Sequence, residues 1–314
     1  MLIKMFSMKL YRIFAIIKRP QLIALKLLRY LSCLFSDEAY IKAYYYFNMG
    51  KRIDLINPKS YNEKLNWLKL YYHHPDYTNL VDKFLVKEYV SKTIGNKYII
   101  PTIGQWASTD DIDWECLPNK FVLKTTHGGG NTGVIICKDS KKFDRKSAIL
   151  KLNKALKQDL YKSSREWPYK NVRRQIIAEP YVEDEVSGEL RDYKLFCFNG
   201  EVKFLFVASE RQRKSEPYFD FFDSEYNYLK IRQKHPNSIK IPPKPQCFTE
   251  MIEVAEKLSS GMPHVRVDLY EVNGHVLFGE LTFYHFGGVV PFDPEEWDFK
   301  FGEYLNLPNE KILA

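Results

Sequence analysis

The sequence predicts an α+β protein, because short strand patterns alternate with stretches of helical periodicity. Asn-Gly pairs at 199–200 and 273–274 each separate two apolar runs, which predicts two β-hairpins. Two further Val/Ile-rich runs, ending at Lys124 and starting at Val134, enclose a glycine-rich loop and predict a strand, a loop and a strand. Most of the chain before residue 95 has helical spacing of apolar residues instead.

The N-terminal region is predicted to be mainly helical. Residues 2–19 and 21–35 predict two helices broken at Pro20, and residues 38–72 continue as helix with a new start at Ser60. Glu63, three residues after Ser60, completes the spacing of a capping box. A helix opening at 82–83 is expected to point Leu85, Val86 and Val90 inward, and a short strand over 98–102 follows it.

The remaining elements are predicted mainly as strands. Asp144 is the expected N-cap of a helix that carries apolar residues to Leu160. The segment 176–182 predicts a strand that runs into a connector. The other predicted elements are strands at 190–198, 201–208, 264–272 and 275–283, a helix at 250–258 and a final short helix.

The net charge of +8 comes from one segment. The 314-residue chain is 45% hydrophobic and 27% charged, which is typical of a globular protein. Residues 1–36 hold seven Lys or Arg and no acid, which leaves 40 basic against 39 acidic residues elsewhere. The charge therefore does not indicate a nucleic-acid partner. We expect residues 1–36 to contact an anionic membrane surface; the alternative is a helix pair packed on the domain with a solvated basic rim.

Cysteine usage and hydropathy indicate a reducing compartment, the cytoplasm. The five cysteines are scattered and odd in number, which favours free thiols over disulfides or a zinc site. No apolar run reaches the roughly 18 residues of a membrane span, and basic residues interrupt the N-terminal apolar stretch where a signal peptide would need a continuous one.

The glycine-rich loop predicts an anion site. Gly128, Gly129 and Gly130 follow a strand that ends at Lys124, so backbone N–H groups and one fixed cation are placed near each other. This pattern suits a lid over nucleotide phosphates. An ordinary hairpin loop is the alternative, and the phosphate-loop motif that leads into a helix is absent.

Charged residues on the later strands are candidates for the rest of such a site. Asp268 and Glu280 lie on two strands of one predicted hairpin, and Mg²⁺ prefers one or two protein carboxylates. Arg266 shares a strand face with Asp268. Glu179, at a strand end, is a candidate for an amino-purine edge. Each residue alone has a plainer interpretation as a solvated or ion-paired surface group.

The hairpin register decides whether the two carboxylates share a metal. With a plain two-residue turn at 273–274, Asp268 opposes Gly279, and Glu280 points to the other face. We therefore predict a three-residue loop over 272–274, or a compensating bulge, with Gly274 at positive φ. In the three-residue register Arg266 opposes Glu280.

Several motifs together resemble the ATP-grasp superfamily over residues 82–288, about two-thirds of the chain. The motifs are similar to those of the teichuronopeptide-biosynthesis (TupA-like) branch, which is found in surface-polysaccharide loci. The motifs are Asn57-Pro58-Lys59-Ser60-Tyr61-Asn62-Glu63-Lys64-Leu65, Lys120-Phe121-Val122-Leu123-Lys124, Glu189-Leu190-Arg191-Asp192-Tyr193-Lys194, Val265-Arg266-Val267-Asp268-Leu269-Tyr270 and Gly279-Glu280-Leu281-Thr282-Phe283.

The resemblance implies an ATP-grasp fold, with two α+β subdomains gripping ATP and a helical N-terminal extension. It divides the chain into a helical region at 1–80 and an ATP-grasp domain at 81–314, with a lid lobe at 81–180 and a metal-binding lobe at 181–314. A departure from the family pattern is Thr282, which stands where many ligases have a metal-binding asparagine and puts a second metal ion in doubt.

The resemblance also implies roles for individual residues, with ATP and Mg²⁺ as cofactors. The implied roles are ATP phosphates at Lys83 and Lys124, the lid at His127, Gly128, Gly129 and Gly130, adenine at Glu179 and Val182, ribose at Glu189, metal at Asp268, Glu280 and Thr282, and the transferred phosphoryl group at Arg266, with Arg266 and Lys124 catalytic.

The implied activity is an ATP-dependent carboxylate–amine ligase that works through an acyl phosphate. Its substrates would be a sugar acid or glycan and an amine or amino acid, in capsular polysaccharide biosynthesis. One alternative is a glycosyltransferase of the same pathway, because Asp111 and Asp113 have D-x-D spacing; an acidic turn that starts a helix is the plainer interpretation. The other alternative is a non-catalytic membrane-associated scaffold.

Overall fold

Two antiparallel sheets and the helices around them form the part of the chain that the computed structural model describes, residues 20–130, 132–185, 188, 190–210 and 216–313. The helices are α1 Pro20–Tyr30, α2 Asp37–Met49, α3 Tyr61–Tyr71, α4 Tyr77–Val81, α5 Val86–Ile94, α6 Arg145–Leu156, α7 Leu160–Ser164, α8 Phe248–Ser259 and α9 Glu296–Tyr304. The strands are β1 Gly104–Trp106, β2 Phe121–Thr125, β3 Val134–Cys137, β4 Ile176–Pro180, β5 Asp192–Phe198, β6 Glu201–Ser209, β7 Tyr218–Asp223, β8 Tyr228–Leu229, β9 His264–Val272 and β10 His275–Thr282. Short 3₁₀ turns lie at Ser32–Leu34, Asn96–Tyr98, Ser140–Lys142, Trp167–Lys170 and His285–Gly288.

The larger sheet has six strands in the order β10-β9-β5-β6-β7-β8. Both predicted Asn-Gly hairpins are present in it, as β5–β6 and β9–β10. Helix α8 packs against β5, β6 and β9 with Met251, Val254 and Leu258 buried. Side chains alternate along each strand, so the charged residues of β5, β9 and β10 lie together on the other face.

The smaller sheet has the order β1-β4-β2-β3 and carries the glycine-rich loop between β2 and β3. The predicted strand, loop and strand are therefore confirmed. Its core combines Leu123, Ile135 and Ala178 from the strands with Leu152 from α6. Asp144 caps α6 as predicted, accepting a hydrogen bond from Ser147 N at 3.0 Å.

Helices α2–α4 pack onto the larger sheet. The predicted capping box is present at the start of α3, because Ser60 accepts from Glu63 N and the Glu63 carboxylate accepts from Ser60 N at 3.1 Å. Tyr61 and Leu65 of α3 belong to the same hydrophobic core as Phe196 of β5. The division at residue 80 stays a proposal, and the predicted helix at 2–19 lies outside the described residues.

Three local predictions are wrong, and each has a physical reason. Leu85 is exposed because the Asp82 carboxylate holds the backbone N–H of residues 84 and 85 in a turn, and α5 begins only at Val86. The segment 98–102 is not a strand, since Pro101 has no N–H and the edge position next to β4 is taken by β1. The helix expected to reach Leu160 ends at Leu156, and Leu160 begins α7.

All five cysteines are free thiols, of which Cys137 and Cys197 are buried. Across the described ranges, none of the helices combines the length and the apolar character that crossing a bilayer requires.

The close approach of α9 to the start of α3 gives a test of the fold. A Cβ added at Gly302 would lie 2.2 Å from the Lys59 carbonyl oxygen and 2.9 Å from Tyr61 N, both backbone atoms that cannot rotate away. We expect Gly302→Ala to lower the free energy of unfolding by about 1–3 kcal/mol, as overpacking does in well-packed sites. Urea denaturation followed by circular dichroism measures it.

Gly129→Ala is the matched control, because its Cβ would meet only the Leu160 side chain at 3.5 Å, an ordinary contact distance. Equal urea midpoints for the two variants would contradict the packing of α9 on α3.

Candidate functional site

The turn between β9 and β10 has two residues, not three. Val272 pairs with His275, and both Asn273 and Gly274 have positive φ, 50° and 76°, as this type of hairpin turn requires. The predicted positive φ at Gly274 is confirmed. The predicted three-residue loop is wrong, because Asn273 also tolerates the left-handed region and closes the tighter turn.

A β-bulge at Gly279 returns the two carboxylates to one face. The register shifts by one residue between Phe278 and Glu280, so that Glu280 pairs directly with Asp268. This is the compensating bulge that was the other predicted solution. Gly279 suits it, because a Cβ there would lie 2.9 Å from the Asp268 carbonyl oxygen. Paired residues share a face, so Asp268 and Glu280 lie side by side.

Arg266 has the most hydrogen bonds among the cations on this face. Its Nε and Nη2 donate to the two carboxylate oxygens of Asp268 at 2.7 Å each, a bidentate pair. Nη2 also donates to Thr282 Oγ1 at 3.0 Å, and Nη1 donates to His285 Nδ1 at 2.6 Å. Arg266 pairs across the strands with Thr282, so the predicted pairing with Glu280 is wrong; Nη2 lies 3.8 Å from a Glu280 oxygen.

Lys194 adds a second cation to Asp268. It is the cross-strand partner of Asp268 on β5, and its Nζ donates to that carboxylate and lies 2.7 Å from Asp192. Asp192 and Asp268 are both buried. Two buried carboxylates therefore lie against two buried or largely buried cations, an arrangement in which the charges compensate each other.

Lys83 joins the glycine-rich loop to this centre. Its Nζ donates to the Gly128 carbonyl at 2.5 Å and lies 3.2 Å from Glu280 Oε2. Burial raises the pKa of Glu280, but the charges of Lys83, Lys194 and Arg266 outweigh burial and lower it to about 2. Glu280 is therefore ionised at neutral pH.

Glu179 forms a second charged cluster on the smaller sheet. Its carboxylate accepts from Lys87 at 2.6 Å and from Lys124 at 2.5 Å. Burial raises the pKa of Glu179, yet the two lysines reverse the effect and hold it below its ordinary value. Lys87 also donates to the Ile100 carbonyl and to Thr102 Oγ1, so it fixes the connection that precedes β1.

A cavity of about 900 Å³ opens beside this cluster, lined by residues of both sheets. Lys124, Glu179 and Val182 line it, as the sequence analysis expected for a nucleotide site. The apolar lining includes Ile100, Val122, Val134, Ile135, Ile136, Pro180, Leu190 and the ring of Tyr270 from β9. An elongated molecule with a flat apolar part and a charged end fits such a lining.

The glycine-rich loop closes back on its own strands. Gly128 N donates to the Thr125 carbonyl at 3.3 Å, and a Cβ at Gly128 would lie 2.8 Å from the Thr132 carbonyl. A Cβ at Gly129 would meet only the Leu160 side chain, at an ordinary contact distance of 3.5 Å, and Gly130 has open space around it. His127 is buried, and its Nε2 lies 3.2 Å from the Ala155 carbonyl, under the loop rather than in the cavity lining. Burial lowers the pKa of His127, so it is neutral.

Two predictions remain, the ribose-binding Glu189 and the D-x-D pair of Asp111 and Asp113. Glu189 lies outside the described residues. Asp111 Oδ2 accepts from Ser108 N, and Asp113 Oδ1 accepts from Glu115 N, so the D-x-D carboxylates are used in local turns; the helix expected to start there is absent.

Sequence reasoning missed five polar residues of the site: Lys87, Asp192, Lys194, His285 and Gln233. Lys194 had a detectable signal, since Asp192 and Lys194 alternate on β5 as Arg266 and Asp268 do on β9. His285 and Gln233 had none, because only the tertiary structure brings them to Arg266. His285 Nδ1 accepts from Arg266, and its Nε2 therefore donates to Gln233 Oε1 at 2.8 Å.

The donor set on β9 and β10 fits Mg²⁺. Asp268, Glu280 and Thr282 present hard oxygen atoms on one face, and Mg²⁺ takes one or two carboxylates and shares its remaining positions with phosphates and water. The described ranges hold no cluster of three or more His, Cys, Asp or Glu side chains suited to a metal ion. Glu280 is the more accessible ligand, because its side chain is 29% exposed and Asp268 is held by Arg266 on both oxygens.

The Glu179 cluster predicts a pH-dependent contribution to stability. Because the pKa of Glu179 is lower in the folded protein than its ordinary 4.5, its ionised form stabilises the fold above that value, and the stabilisation is lost as pH falls through the folded pKa. We expect Glu179→Gln to lower the free energy of unfolding by about 3–5 kcal/mol near pH 7, as breaking a buried ion pair does. The difference from wild type should shrink below about pH 4.5, measured by urea denaturation at each pH.

Glu183→Gln is the control. Glu183 pairs with Lys120 at the surface, so this substitution should change the free energy of unfolding little. A difference for Glu179→Gln that stays constant down to pH 3 would contradict the ion-pair assignment.

Comparison with solved structures finds ligases of low sequence identity. A D-alanine–D-alanine ligase from Bacillus anthracis is 15% identical over 65% of this chain and 57% of its own, with a TM-score of 0.38. The D-alanine–D-alanine ligase from Helicobacter pylori is 17% identical over 72% of this chain and 61% of its own, with a TM-score of 0.38. The ATP-grasp ligase PsnB, complexed with a minimal precursor, Mg and ADP, is 11% identical over 70% and 57%, with a TM-score of 0.37. The chain thus spans less than two-thirds of the length of these structures.

No curated protein sequence matches the chain. A family model described as TupA-like ATP-grasp matches residues 63–306, which include both sheets, the glycine-rich loop and the carboxylate hairpin. This match confirms the ATP-grasp fold that the motifs predicted, and it covers well over half of the chain; the protein belongs to the TupA-like ATP-grasp family.

Proposed function

We propose that the protein is an ATP- and Mg²⁺-dependent ligase that joins a carboxylate to an amine. The proposal rests on one observation: a single side chain contacts both halves of the proposed nucleotide site. Lys83 binds the glycine-rich loop through Gly128 and lies against Glu280 of the carboxylate hairpin. The cavity beside the Glu179 cluster is lined by residues of both sheets and has the size and apolar lining for a nucleotide.

The charges of the site support phosphoryl transfer. Five cations surround four carboxylates: Lys83, Lys87, Lys124, Lys194 and Arg266 around Glu179, Asp192, Asp268 and Glu280. Such transfer depends on positioning and on stabilising the charge of the phosphoryl oxygens. We assign the phosphates to Lys83 and Lys124, with Gly128, Gly129 and Gly130 as the lid. Mg²⁺, when bound by Asp268, Glu280 and Thr282, neutralises charge on the phosphate oxygens.

The remaining residues are assigned to the adenine, the ribose and the transferred phosphoryl group. Val182 and Glu179 are assigned to adenine, although both Glu179 oxygens already hold lysines, so its first role is to orient Lys87 and Lys124. Glu189 is assigned to the ribose. Arg266 is assigned to the transferred phosphoryl group, and His285 and Asp268 fix its guanidinium plane.

The reaction has two steps. A carboxylate oxygen attacks the γ-phosphorus of ATP, and ADP leaves, which gives an acyl phosphate. An amine then attacks the acyl carbon and displaces phosphate, which forms the amide. The acyl phosphate must be protected from water, and a closing glycine lid serves this purpose.

The biological setting rests on the family. We propose a sugar acid or glycan as the carboxylate substrate and an amino acid or other amine as the second, in capsular polysaccharide biosynthesis in the cytoplasm. The family match and the TupA-like motifs support this setting.

We also propose that residues 1–36 attach the protein to an anionic membrane surface. Helix α1 buries Leu25 and Leu28 against α2 and turns the rest of its apolar residues outward. Leu27, Tyr30 and Leu34 are 55%, 84% and 73% exposed on one side of α1 and the turn after it. Basic residues without acids flank this face, which suits insertion at an anionic headgroup boundary.

The ligand assignments predict separable binding defects. We expect Lys124→Met to weaken ATP binding about tenfold or more, because a charge-assisted hydrogen bond is worth roughly 1.5–3 kcal/mol. We expect Glu280→Gln to bind Mg²⁺-free ATP normally but to lose the gain in affinity that Mg²⁺ gives. Titration calorimetry with ATP, with and without Mg²⁺, measures both effects.

Lys120→Met, an exposed lysine before the same strand, is the control for Lys124 and should bind as wild type does. Glu280 is a better target than Asp268, whose neutral variant would leave Arg266 and Lys194 without their buried partner. Wild-type ATP affinity in Lys124→Met, or an intact Mg²⁺ effect in Glu280→Gln, would refute the site.

The membrane proposal predicts salt-sensitive flotation. We expect the full chain to float with vesicles that contain phosphatidylglycerol, less so at high salt, because each basic residue near such a surface contributes about 1 kcal/mol at low screening. The double substitution Leu27→Glu with Leu34→Glu should abolish flotation. Ile239→Glu, at an apolar residue that is 99% exposed elsewhere, is the matched control. Undiminished flotation of the double variant would refute the proposal.

A further inference from the structure

Two non-glycine residues in the left-handed region meet at the edge of the Arg266 centre. Lys234 has φ 64° and Phe286 has φ 49°, and the Lys234 Nζ lies 4.6 Å from the centroid of the Phe286 ring. Side chains other than glycine rarely adopt this conformation, and it persists only where the surroundings impose it. Two separate loops therefore bear strain at the point where they face each other.

Buried hydrogen bonds from α3 hold the Phe286 loop in place. Lys69 Nζ donates to the Gly287 carbonyl at 2.5 Å, and Asn66 Nδ2 donates to the Gly288 carbonyl at 2.7 Å. The two glycines continue the left-handed path at φ 62°. The Phe286 ring is partly exposed, and it lies 4.0 Å from the ring of His285, which accepts from Arg266.

Lys234 projects from a backbone that is fixed on both sides. Gln233 before it is buried and bonded to His285 and to the Val290 carbonyl, while His235 after it lies 3.2 Å from Glu216. Lys234 itself is exposed, and in the described ranges no carboxylate lies within ion-pair distance of it. Partial burial lowers its pKa. Gln233, the residue before it, bonds to His285, which accepts from Arg266, so the Lys234 backbone lies on the Arg266 side.

Lys234 is the central residue of a tight turn that closes when His235 N donates to the Gln233 carbonyl at 2.7 Å. The contact between Lys234 and Phe286 does not itself require a left-handed backbone. Lys244 lies at the same 4.6 Å from the ring of Phe248, and neither of these residues has a positive φ. A lysine thus reaches an aromatic ring elsewhere in this chain without a left-handed backbone. An exposed cation–π contact also stabilises a protein by less free energy than two strained residues cost.

We infer that Lys234 and Phe286 form the subsite of the carboxylate substrate, with Lys234 pairing with an anionic group and Phe286 packing against the carbon skeleton. The inference rests on the proposed ligase activity, since it places that substrate beside Arg266. Lys234 is then a specificity residue that selects small carboxylates with a CH-rich face over their uncharged analogues.

The test measures binding to the full chain saturated with ADP and Mg²⁺, using four probes: D-glucuronate, D-galacturonate, L-glutamate and L-lactate. We expect at least one to bind in ligand-observed NMR titrations, and its uncharged analogue (D-glucuronamide, for example) to bind at least tenfold more weakly. Lys234→Gln should raise the Kd of the bound acid about tenfold or more. Lys244→Gln, which removes the matched lysine, should leave it unchanged.

A second variant separates function from folding. Lys234→Gly relieves the strain, so it should raise the Tm or leave it unchanged while the acid still binds at least tenfold more weakly. A fall in Tm with unchanged acid binding would show that Lys234 only supports its loop and would overturn the inference. Binding of none of the four acids, or equal Kd values for wild type and Lys234→Gln, would also overturn it.

Failure of the proposed activity gives a different result. If wild type does not bind ATP and Mg²⁺ in calorimetry, the ligase proposal fails and the subsite proposal falls with it. If nucleotide binding is intact but the acid affinities do not respond to Lys234, the subsite proposal alone is refuted.

Discussion

The bidentate ion pair between Arg266 and Asp268 is the constraint on which the rest of the site depends. Both side chains are buried, and removing either partner would leave the other buried charge with weaker compensation, from Lys194 for Asp268 or from Glu280 for Arg266. A buried ion pair is seldom the most stable use of such positions, because well-packed apolar residues of similar volume often stabilise a fold as well or better. Six charges, three of them buried, converge at one face of the larger sheet. The chemistry of the site explains this convergence better than stability does.

The surroundings of Arg266 fix its orientation from several directions. Phe206 lies beneath the guanidinium, with its ring centroid 5.8 Å from Cζ, while His285 and Thr282 accept from the N–H groups that Asp268 does not use. The pKa of His285 is well below its ordinary value, mainly because of burial and then because of the Arg266 charge. At neutral pH the imidazole is therefore uncharged, so its Nδ1 can accept a hydrogen bond from Arg266.

The sequence predicted the strands and the shared face of the charged residues, because side-chain alternation and Asn-Gly turns are local properties. It did not decide between a longer loop and a bulge, since each shifts the register by one residue and returns Glu280 to the face of Asp268. At the bulge, a Cβ on Gly279 would lie 2.9 Å from the Asp268 carbonyl oxygen, so the position requires glycine. This contact is between two strands, and the local sequence does not show it. Leu85 was misplaced for a different, local reason, because hydrogen bonds from the backbone N–H groups of residues 84 and 85 to the Asp82 carboxylate delay the helix start. His285 and Gln233 come from segments 52 residues apart and had no local signal at all.

Charge balance explains how the two sheets can hold so many charged side chains close together. On the larger sheet Lys83, Lys194 and Arg266 face Asp192, Asp268 and Glu280, three cations against three carboxylates. On the smaller sheet Lys87 and Lys124 face Glu179 alone, which leaves one positive charge in excess at the cavity. In the ligase that we propose, a nucleotide phosphate entering there would meet a cation that is only partly neutralised. Lys83, in contrast, would have to give up its contact with Glu280 or with the Gly128 carbonyl to bind a phosphate. Lys83 therefore couples the position of the glycine-rich loop to the state of the carboxylate hairpin, since the same ammonium group contacts both.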